Sequence, residues 1–165
     1  MSETDPRLSS DDAPRGRSRK ITAEQLYPLL VVLLLAGLAA ALYAAYETVN
    51  PAASAVCSTS GYISCSKVGG SGHTTIAGIP DWAIGVGGYL GMTALGILAF
   101  RTFERRYLTL LAGLSAVGLL LSLYFVYEEV VVIQALCPVC STAHALNVAV
   151  LAVTVALLRM SRPEA

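Results

Sequence analysis

"LYPLLVVLLLAGLAAALYAAY", residues 26–46, runs for twenty-one positions without a charged side chain. A helix rises 1.5 Å per residue, so about 20 apolar residues cross the ~30 Å hydrocarbon layer of a bilayer. Three further stretches read the same way: "WAIGVGGYLGMTALGILAF" at 82–100, "LTLLAGLSAVGLLLSLYFVY" at 108–127, and a fourth, more polar at its start, at about 137–158. The expected fold is an all-α membrane protein, a four-transmembrane-helix bundle. Composition agrees, because only 13% of residues are charged, against roughly 25% in soluble domains. The formal net charge is zero, which leaves no basic surplus to suggest nucleic acid as a partner.

The placement of charge predicts orientation. Arg15, Arg17, Arg19, Lys20, Arg101, Arg105, Arg106, Arg159 and Arg162 fall on one side of the expected spans. Lys67 is the one cation on the other side, where Glu47, Asp81, Glu128 and Glu129 gather. The positive-inside rule then puts both termini in the cytoplasm and loop 47–81 outside. The polar N-terminal segment (1–23) is expected to be a disordered cytoplasmic tail, 24–160 the membrane domain and 161–165 a short tail. A cleaved signal peptide is the lesser reading, since the first apolar run exceeds an h-region and more spans follow it.

All four cysteines lie in two fragments, "CSTSGYISC" at 57–65 and "ALCPVC" at 135–140. The expected topology brings both to the oxidising face, where disulfides form and persist. Cys137-Pro138-Val139-Cys140 opens an apolar helix, near unpaired N–H groups whose field favours the reactive thiolate. Pro138 suits a first-turn position, where its missing N–H costs nothing. Cys57 and Cys65 sit in a Ser/Thr/Gly-rich segment with little apolar anchoring, as a mobile pair for thiol–disulfide exchange would require. Spacing alone leaves two alternatives open: two inert structural disulfides, or a zinc site built from the cysteines with or without His73.

Cys140, His144 and Asn147 fall at i, i+4 and i+7, one face of the last helix. Polar groups inside a span normally face the bundle interior and mark function. His144 is either a donor or proton carrier one turn from the thiol or a buried histidine bonded to another helix, and Asn147 serves at least as readily as interhelical glue. Ile76 to Ile79 form a short apolar patch that could dip into the bundle mouth, followed by Asp81 as a candidate N-cap. Gly85, Gly88 and Gly91, with Ala112, Gly113, Ala116 and Gly118, give smooth helix surfaces expected to allow close packing; lining a flat cofactor is their lesser reading.

In this order, the single span, the cysteines eight apart, the serine shortly after, the Gly-Ile-Pro before the second span and the C-x-x-C opening the last span resemble the vitamin K epoxide reductase family. The likeness covers roughly residues 24–158 and points to the bacterial thiol-oxidising branch. It implies that Cys57 and Cys65 are a loop shuttle pair and that Cys137 and Cys140 are the quinone-side pair. The outer loop would cap a quinone pocket. Ser71 matches the family's loop serine or threonine. Thr74 stands about where other members place a quinone-bonding asparagine, and His144 where some place tyrosine. Ile76, Ala77 and Asn147 complete the candidate quinone contacts, with menaquinone or ubiquinone as cofactor and no metal. The departures at Thr74 and His144 bear most on epoxide reduction.

The implied activity is quinone-dependent thiol oxidation in a bacterial plasma membrane, with electrons passing from Cys65 to Cys137 and leaving through Cys140. Many bacterial relatives carry a thioredoxin-like domain after the last span; none is expected here, so the expected partner is a separate extracytoplasmic thioredoxin-like protein. The rival readings are a non-enzymatic membrane scaffold with two fixed disulfides, and epoxide reduction.

Overall fold

A computed structural model describes residues 23–50, 52–53, 57–59, 61–72 and 75–161. Four long helices carry the fold: α1 (Ala23–Val49), α3 (Asp81–Thr102), α4 (Arg105–Tyr127) and α5 (Pro138–Met160). Each is long and apolar enough to cross a membrane. Between α1 and α3 lie a short helix, α2 (Cys65–Gly69), and a two-stranded hairpin, β1 (Thr75–Ile76) with β2 (Ile79–Pro80). The protein is thus an all-α four-helix membrane bundle.

α1 packs against α3 and α5, and α4 closes the ring by packing against the same two helices. The central seam is apolar, with Leu30 and Leu34 of α1, Ala99 of α3, Leu108 and Leu111 of α4 and Val150 of α5 fully covered. Leu29, Val32 and Leu35 on the opposite side of α1 are exposed, as lipid-facing residues should be. In lipid these helices gain little from hydrophobic burial alone, so close packing and interhelical hydrogen bonds must hold them together. Both are present. Tyr89 donates its hydroxyl to the Ala143 carbonyl at 2.6 Å, joining α3 to α5. Ser115 Oγ donates to Asn147 Oδ1 at 2.8 Å while Asn147 Nδ2 donates to the Ser115 carbonyl at 3.1 Å, joining α4 to α5.

Glycines serve two purposes, and only one matches expectation. A Cβ on Gly37 would overlap the Tyr89 ring, and one on Gly96 would strike Leu34. These are true close approaches. Gly87 and Gly88, by contrast, have open space where a Cβ would go, and Gly85 meets only an ordinary contact at 3.8 Å. All three line a cavity inside the bundle. Gly88 thus leaves room where tight packing was expected, whereas a Cβ on Gly118 would come within 3.0 Å of Asn147, the close approach expected of it. Gly37→Ala should therefore cost ~1–3 kcal/mol, since the Tyr89 ring is tethered at its hydroxyl and cannot swing clear. Gly88→Ala should leave stability nearly unchanged. Thermal unfolding of the two variants in detergent checks the contrast.

The third span does not stop at Tyr127. It continues through a π-helical segment, Glu128–Ile133, which ends where Gln134 adopts a left-handed φ of 53°. The wider π turns have no forewarning in the apolar pattern, and such segments gather at functional sites. The turn leads the chain straight back to Cys137.

Candidate redox site

α5 begins at Pro138, with Cys137 at its N-cap and the proline in the first turn, as the sequence predicts. Cys137 Sγ accepts the Cys140 N–H at 3.3 Å, so the cap residue is itself one of the two thiols. Cys137 is only 3% exposed, whereas Cys140 is half-buried. Both are free thiols.

The loop cysteines are joined to each other in a Cys57–Cys65 disulfide, with Cα atoms 5.7 Å apart. Cys65 opens α2, whose N-cap Ser64 accepts the Lys67 N–H. What brings this pair to the C-x-x-C is main-chain pairing. Ile63 forms a parallel bridge with Leu136; Leu136 N–H donates to the Tyr62 carbonyl at 2.7 Å and Ser64 N–H to the Leu136 carbonyl at 3.1 Å. Residues 62–64 and 136 are thus held side by side, and the next residue on each strand is a cysteine. Cys65 Sγ lies 3.4 Å from Cys137 Sγ, across 72 positions of sequence. Val68 and Ala135 seal the contact from solvent.

The sulfurs of Cys57, Cys65 and Cys137 all fall within 4.8 Å of one another. With Cys57 and Cys65 bonded together, this trio offers one thiol and not three metal-binding thiolates.

Glu129 is the site residue that sequence reasoning passed over, having counted it only toward topology. Its side chain is 2% exposed, and its Oε2 accepts the Cys137 N–H at 3.2 Å. Its carbonyl accepts the Ala135 N–H at 3.0 Å. An acid at the edge of a span, followed by the apolar run Val130 to Ile133, is the signal that could have raised it.

Two cavities flank the thiols. The larger, about 430 Å³, lies among all four long helices; Ala41, Gly85, Gly88, Met92, Leu114, Gly118, Phe125 and Ala143 form much of its wall. Cys140, His144 and Asn147 all face it, as their i, i+4, i+7 spacing implies. His144 Nε2 is buried without a hydrogen-bond partner among the described residues. Asn147 touches the cavity, but its amide is committed to Ser115, the interhelical role that was its alternative. The smaller cavity, about 220 Å³, sits beneath the loop and shares Asp81, Trp82 and Cys140 with the larger one. Cys65, Cys137 and the buried Glu47 complete part of its lining.

Among the remaining candidates, Ser71, Ile76 and Ala77 line neither cavity. Ser71 Oγ donates to the Val68 carbonyl at 2.8 Å, which fastens the end of α2. Ile76 is half-buried and Ala77 exposed at the hairpin tip, where Ala77 takes a positive φ of 53°; neither lines either cavity. Ile79 is 53% exposed. Thr74 and His73 lie outside the described residues. Asp81 begins α3 and accepts the Trp82 N–H at 2.7 Å, one position inside its expected capping place.

This arrangement can pass electrons between two dithiol pairs and deliver them to a cavity within the membrane. The sequence model of the vitamin K epoxide reductase family matches residues 28–155, covering all but the ends of the bundle. The chain belongs to the vitamin K epoxide reductase family, and its four-helix bundle with adjoining cysteine pairs is that of a membrane oxidoreductase.

Proposed function

We propose that the protein is a quinone-dependent thiol oxidoreductase that generates disulfides on the extracytoplasmic face of a bacterial plasma membrane. The observation that carries this reading is an unbroken line of sulfur. The Cys57–Cys65 disulfide meets Cys137 at 3.4 Å, Cys137 adjoins Cys140, and Cys140 opens onto the four-helix cavity.

The relay runs by thiol–disulfide exchange. A thiol of a thioredoxin-like partner attacks Cys57; the partner–Cys57 bond forms, Cys57–Cys65 breaks, and Cys65 leaves as a thiolate. The partner's second thiol then closes its own disulfide and releases Cys57. Cys65 attacks Cys137 of an oxidised Cys137–Cys140 pair, forming Cys65–Cys137 and expelling Cys140 as a thiolate. Cys57 next attacks Cys65, which restores the loop disulfide and frees Cys137. The resulting dithiol, with the loop oxidised, is the arrangement in the structure. Proximity supplies much of the rate, because each attacking sulfur is already beside its target.

The central cavity fits a quinone headgroup. Its volume falls in the range of about 300–1,000 Å³ usual for small-molecule sites, and its wall is mostly apolar with few polar atoms. The buried Nε2 of the half-buried His144, without a hydrogen-bond partner among the described residues, gives that wall one free nitrogen. A bound quinone would supply the oxidising power, taking up two electrons and two protons as the Cys137–Cys140 disulfide forms. Cys140 and His144 would face it, and Trp82 and Phe125 would flank it. A scaffold with two fixed disulfides is less favoured, since Cys137 and Cys140 are free.

An anaerobic assay of quinone reduction with a dithiol donor tests the reading, with Cys140→Ala as its control. No dithiol-dependent reduction by the native protein would refute it. Both termini are proposed to be cytoplasmic and all four cysteines external. A membrane-impermeant thiol reagent should then label reduced Cys57 in intact cells. Labelling only after membrane disruption would overturn the orientation and the relay.

His144→Leu keeps the bulk and removes the ring nitrogens. The expected loss is about tenfold in turnover, since one neutral hydrogen bond is worth ~1 kcal/mol and the thiols remain. If the contact forms mainly in the transition state, kcat falls more than KM rises. Unchanged kinetics with lower thermal stability would make His144 a packing residue.

A further inference from the structure

We propose that Glu129 is a positioning residue for the thiol exchange: its buried carboxylate holds the Cys137 main chain so that Cys137 Sγ is presented to Cys65. The proposal deepens the relay described above and rests on it for its functional meaning, but it can be measured without quinone or partner.

Three observations converge on this side chain. Glu129 is almost completely buried, yet it lies in a π-helical segment whose neighbours Val130, Val131 and Val132 are exposed, and it is the one fully buried residue of that segment. Its Oε2 accepts the N–H of Cys137, the residue that caps α5 and whose main-chain N–H has no place in the helix ladder. Its own carbonyl accepts from Ala135 and from the Gln134 cap, so one residue pins both the turn and the cysteine that follows it.

The consequence is geometric. Position 137 is reached from two directions: from the loop, where the pairing of residues 62–64 with Leu136 fixes the preceding residue, and from the third span, where Glu129 fixes Cys137 itself. Loop pairing alone leaves the Cys137 N–H, in a region closed to water, without an acceptor. A buried N–H left unpaired drives the backbone to rearrange or hydrate. Either response would rotate Cys137 about its main chain and move Sγ off its 3.4 Å approach to Cys65. Cys140, placed by the helix ladder of α5, should be affected much less.

The test uses the full chain carrying Cys57→Ala and Cys140→Ala, which leaves Cys65 and Cys137 as the only thiols. Equilibration with oxidised and reduced glutathione forms Cys65–Cys137 and consumes one oxidised glutathione for two reduced ones. The equilibrium position gives the effective concentration of one thiol at the other. In this background Glu129→Gln retains an oxygen acceptor and should stay within about threefold of the parent, whereas Glu129→Ala should fall about tenfold or more, the worth of a lost buried hydrogen bond. Glu129→Asp keeps the charge but is one methylene short, so it should fall with alanine; it also serves if the alanine variant does not fold. Thermal unfolding is recorded for each.

A glutamine variant that falls as far as alanine would mean that charge matters and not the hydrogen bond, and would overturn the proposal. Unchanged effective concentration in both the alanine and aspartate variants would overturn it too. So would losses that merely track thermal stability across the series, glutamine included. A native protein that reduced no quinone would sink the relay while leaving this positioning result intact.

Discussion

Cys140→Ala is expected to abolish dithiol-driven quinone reduction and to let Cys65 and Cys137 join. Cys140 is the cysteine that lines the four-helix cavity, while Cys137 is enclosed beneath the loop. Removing Cys140 takes away both the sulfur facing the proposed acceptor and the partner needed to close a disulfide within the C-x-x-C. A loss of at least ~10³-fold is the scale expected when one member of a reacting unit is deleted. The remaining thiol has a single nearby outlet. Cys137 can attack Cys65, forming Cys65–Cys137, breaking Cys57–Cys65 and releasing Cys57 as a thiol. The two sulfurs need close only from 3.4 Å to bonding distance. Mass spectrometry of the unreduced protein should therefore find Cys65 linked to Cys137 beside residual Cys57–Cys65. A fixed structural disulfide at 57–65 would show no such redistribution, and its absence together with sustained turnover would end the relay.

Cys65→Ser separates entry of electrons from their exit. Of the two loop cysteines, Cys65 is the one in sulfur contact with Cys137, and the 62–64 segment paired to Leu136 holds it there. Without that sulfur Cys57 is a lone thiol and the loop holds no disulfide for a protein partner to reduce, so oxidation of the partner should fall by ~10³-fold or more. A small dithiol that diffuses into the site can still reduce Cys137–Cys140 directly, and quinone reduction with that donor should survive in substantial part. The variant also loses the Cys57–Cys65 bridge, so its folding must be checked by thermal unfolding before rates are compared. Oxidation of the protein partner at the normal rate would make the loop pair dispensable and the mechanism wrong. Loss of both activities in a protein that remains folded would place Cys65 in the quinone step as well.

Much of this molecule could be read along the chain, because membrane spans and helix faces are local. Four apolar runs gave four long helices, although the third continues through a π segment to Ile133. The C-x-x-C placed at a helix start took up that position, with Cys137 as the cap and Pro138 in the first turn. Helical spacing put Cys140, His144 and Asn147 on one face, and that face lines the cavity. What such spacing could not reveal was the neighbour each side chain would find. Asn147 is spoken for by Ser115 on another helix, whereas His144 Nε2 is left without a partner among the described residues.

The sequence by itself determined the fold class, the two cysteine pairs and the polar face of the last span, since each depends on residues a few positions apart. Tertiary structure alone decided the parallel bridge of Ile63 with Leu136, the burial of Glu129 beneath Cys137 and the use of Gly85, Gly87 and Gly88 as cavity wall. These features join segments from separate helices and the outer loop. Their physical basis is main-chain pairing and shape fit across the bundle, and neither hydropathy nor helical period within one segment encodes which distant backbone will meet it.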